Sequence, residues 1–202
     1  MLLYGASGHA KVIRDCLLSE GAVVKGIFDD NPDIVQLDDT KVLGFYKADL
    51  ESSEELIIAI SDNLIRKKLV DKVKHAFGKT IHKSAIVSSY ASIGKGSVVF
   101  PQVVVNSGCE IGNHTILNTG SIIEYDSILG DYIHISPNVT ICAGVIIGEG
   151  THIGAGATII PGKQIGKWCV IGAGSVITQD IPDYSMVVGV PGKIIRAMVK
   201  KN

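Results

Sequence analysis

The stretch Ile147-Gly148-Glu149-Gly150-Thr151-His152-Ile153-Gly154-Ala155-Gly156-Ala157-Thr158-Ile159 sets an isoleucine at every sixth residue. Followed outward, the register holds from Ile81 to Ile177. Its other members are Val87, Ile93, Val99, Val105, Ile111, Leu117, Ile123, Leu129, Ile135, Ile141, Ile165 and Ile171, seventeen aliphatic positions in all. A helix repeats near 3.6 residues and a strand at 2, so a strict period of six is neither. It marks an internal repeat. A six-residue unit of short strand plus turn cannot bury its own apolar side chain. Successive units must coil so that these side chains stack into a shared interior. Three units per coil make a triangular prism, and at about 4.8 Å per stacked strand the segment predicts roughly five coils, a rod about 25 Å long. Glycine often follows the aliphatic residue (Gly94, Gly112, Gly130, Gly148, Gly154, Gly166, Gly172), which suits corners needing positive φ. The pattern predicts a parallel β-helix and leaves its hand open.

The segment before the repeat reads differently. Leu2-Leu3-Tyr4 is a short buried strand running into Gly5-Ala6-Ser7-Gly8-His9, followed by a helical pattern with Val12, Ile13, Cys16 and Leu17 on one face. A second strand spans residues 22–28 and ends at Asp29-Asp30. A third spans 55–60, and a helix from Leu64 to about Ala76 follows, capped by Asp62 or Asn63. Arg66, Lys67 and Lys68 are expected on its solvent face. A glycine-rich turn at a helix N-terminus offers free N–H groups to a phosphate. The dinucleotide fingerprint G-x-G-x-x-G is not met, since the turn reads G-x-x-G. Taken by itself, the turn fits either a phosphate site or a tight corner of any small α/β domain.

Composition bounds the rest. The chain has 202 residues, 46% of them hydrophobic, and a formal net charge of −1, which gives no electrostatic reason to expect nucleic acid. The apolar opening Met1-Leu2-Leu3-Tyr4 meets Gly5 too early for a signal peptide or a membrane span. Cys16, Cys109, Cys142 and Cys169 show no C-x-x-C pairing and read as buried free thiols in a reducing cytoplasm.

The repeat, with Ile111-Gly112 and the 147–158 stretch as its clearest units, resembles the hexapeptide-repeat acyltransferases. That resemblance implies a left-handed β-helix and a homotrimer. Val188-Gly189-Val190-Pro191-Gly192-Lys193 is similar to the segment with which those enzymes close the coil. Together with Tyr4-Gly5-Ala6-Ser7-Gly8-His9, Phe28-Asp29-Asp30, Ser61-Asp62-Asn63-Leu64-Ile65-Arg66-Lys67-Lys68 and Leu117-Asn118-Thr119-Gly120, the whole chain resembles the nucleotide-sugar N-acetyltransferases of bacterial glycan synthesis and the related sialic acid O-acetyltransferases. The expected architecture is a Rossmann-like α/β domain (1–78), a left-handed parallel β-helix (79–182) and a closing segment (183–202).

The resemblance implies acetyl transfer from acetyl-CoA to a UDP-linked 4-amino sugar by direct attack, in a trimer with its sites between subunits. It sets Ser7, Gly8 and His9 near phosphates and sugar, Asp29 and Asp30 near the nucleoside, and Ser61 and Asp62 close by. Acetyl-CoA is expected against Asn118, His134, Ala143, Gly144, Ala155 and Ala173, with an amide N–H of Cys142-Ala143-Gly144 facing the thioester oxygen. Lys193 is a further candidate for a CoA phosphate.

One position departs from the family. Where relatives carry a histidine base followed by an acid, this chain reads Glu124-Tyr125-Asp126. A free phenol has a pKa about 10 against about 6.5 for imidazole, so tyrosine is a poor general base near neutral pH. Tyr125, Asp126 and His134 are the candidate catalytic residues. The proton goes to Asp126, to His134 or to a histidine from the sugar side, with Tyr125 hydrogen bonding. A differently specific transferase, an O-acetyltransferase of a sialic-type sugar, and a sugar-nucleotide-binding protein without chemistry stay open. His114 and His152 are expected at the surface or an interface, and His75 solvated at a helix end. No metal site is expected.

Overall fold

The computed structural model describes residues 1–198, so the last four residues of the closing segment lie outside the described residues. The N-terminal domain is a five-stranded sheet of β1 (Leu2–Tyr4), β2 (Gly26–Phe28), β3 (Gln36–Leu37), β4 (Thr40–Gly44) and β5 (Leu56–Ile58). The strand order is β3-β4-β2-β1-β5. β1 pairs in parallel with both β2 and β5, and β4 in parallel with β2, while β3 and β4 form an antiparallel hairpin. The order reverses at β1, which opens a crevice at the carboxyl ends of β1 and β5. α1 (Gly8–Ser19) buries Ala10, Ile13, Cys16 and Leu17, and α2 (Asn63–Val70) follows β5.

Several expectations change here. The 36–44 hairpin was not foreseen, because its strands are short and mostly polar. α2 stops at Val70 rather than near Ala76, and β2 and β5 are shorter than predicted. Arg66 is not on the solvent face: it is 1% exposed. His75 is buried too, with Nδ1 hydrogen-bonded to the Tyr46 hydroxyl at 2.9 Å and Nε2 to the Leu50 carbonyl at 3.0 Å.

From Thr80–Ile81 to Val176–Ile177 run seventeen two-residue strands, three per coil. Up to Thr158–Ile159, every strand pairs in parallel with the one eighteen residues on, as in Ile116↔His134 and Leu117↔Ile135. The result is a left-handed β-helix with three flat faces, the aliphatic residue of each hexad pointing inward. The outward residue of each strand lines a face. Thr80, Val98, Ile116, His134, His152 and Val170 line the first face, on which the α/β domain sits. Ser185–Val188 and Lys193–Ala197 extend that face's sheet.

The corner chemistry differs from expectation in one respect. Positive φ falls on the third residue after the aliphatic one at each corner from Gly96 to Gly174. Gln102, His114, Asp126, Tyr132, Asn138 and Trp168 adopt it alongside the glycines. The glycine directly after the aliphatic residue serves a close approach instead: a Cβ on Gly112 would lie 2.5 Å from the Gly130 carbonyl carbon of the next coil.

Candidate active site

At the carboxyl edge of the α/β sheet, the Gly-rich turn is closed by Asp29, whose carboxylate accepts from the Ala6 N–H at 2.6 Å and the Asn31 N–H at 2.8 Å. Asp29 is therefore a staple of the turn. Asp30 accepts from the Tyr4 hydroxyl at 2.8 Å. Burial, then Asp30 itself, pushes the Tyr4 phenol above its ordinary range, so it stays a donor. Ser7 precedes α1 without a side-chain capping bond. Ser7 and Gly8 are both exposed, and the space around Gly8 is open. The first turn of α1 thus presents uncapped amides to the crevice, the arrangement that receives an anion.

The helix aims His9 at the first face of the β-helix. Its ring lies 5.4 Å from Phe100 and 6.4 Å from His134, and its buried Nε2 has no hydrogen-bond partner among the described residues. His134 stacks on His152 with centroids 4.8 Å apart and planes 3° off parallel, because the two are register partners on successive coils. His152 is half-buried beneath His134 rather than on an open surface.

The tautomer of His134 follows from its neighbours. Asn118 Oδ1 accepts from the Thr119 N–H at 2.8 Å, so Asn118 Nδ2 faces His134 Nε2 at 3.4 Å and donates to it. His134 Nδ1 then carries the proton and points to the Ser61 carbonyl at 3.4 Å. Both nitrogens are engaged. Burial, followed by the neighbouring His152 and Arg66, pulls His134 down to about 3. Burial and then Arg66 pull His9 to about 4. Of the two, His9 has a buried ring nitrogen without a partner among the described residues.

Tyr125 and Asp126 sit on another part of the prism, the edge between the second and third faces, and both are exposed. No hydrogen bond links them to His134 or His9 among the described residues. The cofactor-binding candidates divide the same way. Ala143 and Gly144 share the edge of Tyr125, whereas Asn118, Ala155 and Ala173 lie on the edge between the first and second faces. They cannot line one groove within a subunit.

What these alanines have in common is an open amide. On the edge between the third and first faces, three second corner residues have the N–H covered by a side chain: Lys95 by Asn113 Oδ1 at 3.1 Å, Asn113 by Asp131 Oδ1 at 2.7 Å and Lys167 by Asp183 Oδ1 at 2.7 Å. Gly144 gives its N–H to the Tyr125 carbonyl at 3.0 Å and Cys142 to Ile159 at 3.1 Å. Ala143, Ala155 and Ala173 have no acceptor among the described residues, which leaves each N–H free for a ligand carbonyl.

Sequence reasoning missed the group that joins the two domains. Asp62 caps α2, accepting from Ile65 at 2.8 Å. One turn on, Arg66 reaches into the β-helix and Lys67 pairs with Glu149, its ammonium between the rings of Tyr132 and Trp168. His114, expected at the surface or an interface, is 2% exposed, stacked on Tyr132 and edge-on to Phe77. A cavity of about 570 Å³ lined by Ser61, Asp62, Lys67, Lys68, His152 and Trp168 continues the cleft along α2.

Comparison with known proteins agrees with this architecture. Residues 1–73 match the PglD N-terminal domain, 126–161 the bacterial transferase hexapeptide (six repeats), and 144–179 the hexapeptide repeat of succinyl-transferase. A curated relative, uncharacterized protein L142 of Acanthamoeba polyphaga mimivirus, is 36% identical over 97 residues, or 46% of this chain. That alignment spans only 20% of the viral protein. Among solved structures, a variant of perosamine N-acetyltransferase from Caulobacter crescentus, in complex with CoA and GDP-perosamine, superposes with a TM-score of 0.93 at 35% identity over 96% of each chain. The acetyltransferase domain of PglB from Neisseria gonorrhoeae FA1090 gives 0.89 at 30% identity, covering 96% of this chain and 98% of that domain. WeeI from Acinetobacter baumannii AYE gives 0.84 at 27% identity over 96% and 98% of the two chains. A shared fold of both domains at this identity over nearly the full length settles the kinship: the chain belongs to the hexapeptide-repeat, left-handed β-helix family of nucleotide-sugar N-acetyltransferases.

Proposed function

We propose that this protein transfers the acetyl group of acetyl-CoA to the amine of a nucleotide-linked amino sugar, by direct attack and without an acyl-enzyme. The observation that carries this reading is the open α1 N-terminus beside His9, whose buried Nε2 has no hydrogen-bond partner among the described residues. The pyrophosphate would lie on the amides of Ser7-Gly8-His9, with the nucleoside toward Asp30 and the Ser61-Asp62 segment on the other side.

Acetyl-CoA fits the open amides of Ala143, Ala155 and Ala173, and when bound it supplies the activated acetyl group. The Ala143 N–H is the free donor beside Tyr125, suited to a thioester oxygen as negative charge develops there. His9 takes the proton of the amine at Nε2. Its low proton affinity in the empty crevice rises when a pyrophosphate enters, since a nearby anion favours imidazolium. His134, with both nitrogens engaged, positions rather than accepts, and Tyr125 with Asp126 contributes hydrogen bonding.

We further infer a homotrimer. The Tyr125–Ala143 edge and the Asn118–Ala155–Ala173 edge belong to different corners of one prism, and two copies side by side bring such edges together. Ile128 and Ile146, each 42% exposed on the third face, and Ile86, 68% exposed on the second, would then be covered. UDP is the nucleotide that the family resemblance implies. The Caulobacter relative is bound to GDP-perosamine, so both nucleotides belong in the test. The assay is CoA release from acetyl-CoA with UDP- and GDP-linked 4-amino sugars and with a sialic acid. Turnover on an amino-sugar nucleotide is expected. Turnover on the sialic acid alone would replace the reading with O-acetylation, and turnover on none would reduce the protein to a binder.

A further inference from the structure

Arg66 is 1% exposed and has no carboxylate partner among the described residues. Six oxygens surround it instead. Nε donates to the His114 carbonyl at 2.8 Å, and Nη1 to Ile60 and Ser61 at 2.9 and 3.1 Å. Nη2 donates to Asn63 Oδ1 at 2.7 Å and to the Tyr132 and Ile133 carbonyls at 3.1 and 3.3 Å. Dipoles satisfy the guanidinium's geometry without cancelling its charge. Burial lowers it only to about 10, so it is a full cation at neutral pH. An ion pair would have docked the two domains with less electrostatic consequence. The sequence supplies a bare charge instead, and it sits among four imidazoles.

We propose that Arg66 is a positioning residue whose uncompensated charge reinforces burial in holding His9, His134 and His152 unprotonated in the empty cleft, preserving the His9 Nε2 lone pair for the proton of the acceptor amine. Only that last use rests on the acetyltransferase reading; the protonation state does not. One contact places the cation beside the row: the Ser61 carbonyl accepts from Arg66 Nη1 at 3.1 Å and from His134 Nδ1 at 3.4 Å. The His134 bond to that carbonyl by itself raises the imidazole, so the effect is carried by the field of the cation, which opposes a second positive charge in the row. The shifts agree: burial comes first for His9, His114, His134 and His152, and Arg66 lowers all four.

Opposing charges are few and peripheral. Asp62, at the head of the same helix, raises His152 and Arg66, and Asp131 on the solenoid corner raises His114 while Lys95 lowers it. Tyr132 packs on the His114 side, and Lys67 is paired with Glu149. None of these hydrogen-bonds to an imidazole of the row.

The test is the pH titration of the histidine imidazoles by NMR in labelled full-length protein, for the parent, Arg66→Lys and Arg66→Met, beside the pH profile of kcat/KM. In the parent and in Arg66→Lys, which keeps the charge, the His9 and His134 signals should stay in the neutral form down to pH 5. In Arg66→Met their midpoints should rise toward the free-imidazole value of about 6.5 without reaching it, and the acid limb of kcat/KM should move up with them. A purely structural role would lower stability in both variants and leave the midpoints in place, which overturns the proposal. If Arg66→Met does not fold, Arg66→Gln, which removes the charge and keeps a hydrogen-bonding amide, takes its place: midpoints equal to those of the parent overturn the proposal. Absence of turnover with titrations as expected would defeat the acetyltransferase reading and leave Arg66's role standing.

Discussion

Acid should unfold this protein through its buried histidines, and His114 gives the cleanest measurement. Its ring is 2% exposed, packed against Phe77 and Tyr132, and its Nδ1 has no hydrogen-bond partner among the described residues. Burial and then Arg66 lower it from 6.5 to about 4. Because the folded value lies below the unfolded one, the unfolded chain binds more protons between pH 6.5 and 4. Stability therefore falls as pH drops through that window. Between pH 7.5 and 5.0 the loss works out at about 2 kcal/mol for this one group, at 1.36 kcal/mol per pH unit. His9 and His134 are lowered comparably, and full addition of the three sets a ceiling of about 6 kcal/mol, a large share of a typical stability of 5–15 kcal/mol.

The assay is urea unfolding at the two pH values and at fixed protein concentration, for the parent and for His114→Phe. Phenylalanine keeps the aromatic column, and the corner's positive φ already carries Tyr132 and Trp168 at equivalent positions. The variant should lose about 2 kcal/mol of the parent's pH dependence. A variant as acid-sensitive as the parent would refute the idea that His114 is held neutral, and a parent equally stable at both pH values would refute it for the whole group.

Three further outcomes follow from the geometry. His9→Asn should lower kcat by about 10²- to 10⁴-fold, the usual worth of a general base, with the KM for the sugar nucleotide changed little. The same loss in Tyr125→Phe, with none in His9→Asn, would move the proton acceptor to the other edge. Ala143→Pro removes one N–H at a corner position that Pro101, Pro137 and Pro161 fill elsewhere, so Tm should hold while kcat falls about 10²-fold; unchanged kcat would show that the amide does not face the thioester. Gly112→Ala drives a Cβ to 2.5 Å from the Gly130 carbonyl carbon and should cost about 1–3 kcal/mol in denaturant unfolding, against near-neutrality if the glycine served only turn flexibility.

Much of this molecule was legible because its information is local. A hexad encodes its own inward residue and its own turn, so Ile81 to Ile177 determined the prism before any contact was known. The Gly5–His9 turn and the Asp62 cap were readable for the same reason. The corner glycines were placed correctly and explained wrongly: whether a glycine serves φ or the backbone of the next coil depends on packing between coils. Tyr125 stood out as a residue type, yet its separation from His134 belongs to the winding, which sends residues nine apart in sequence to different parts of the prism.

Arg66, His75 and His114 could be placed only by tertiary structure. In sequence, Arg66-Lys67-Lys68 is a run of charge indistinguishable from a solvated helix face. What buries the arginine is a set of carbonyls 48 to 67 residues away in sequence, which become acceptors only when the β-helix presents its corner to α2. Burial of a charge is decided by whether another surface arrives with enough oxygens to meet it, and no property of the residue itself announces that arrival.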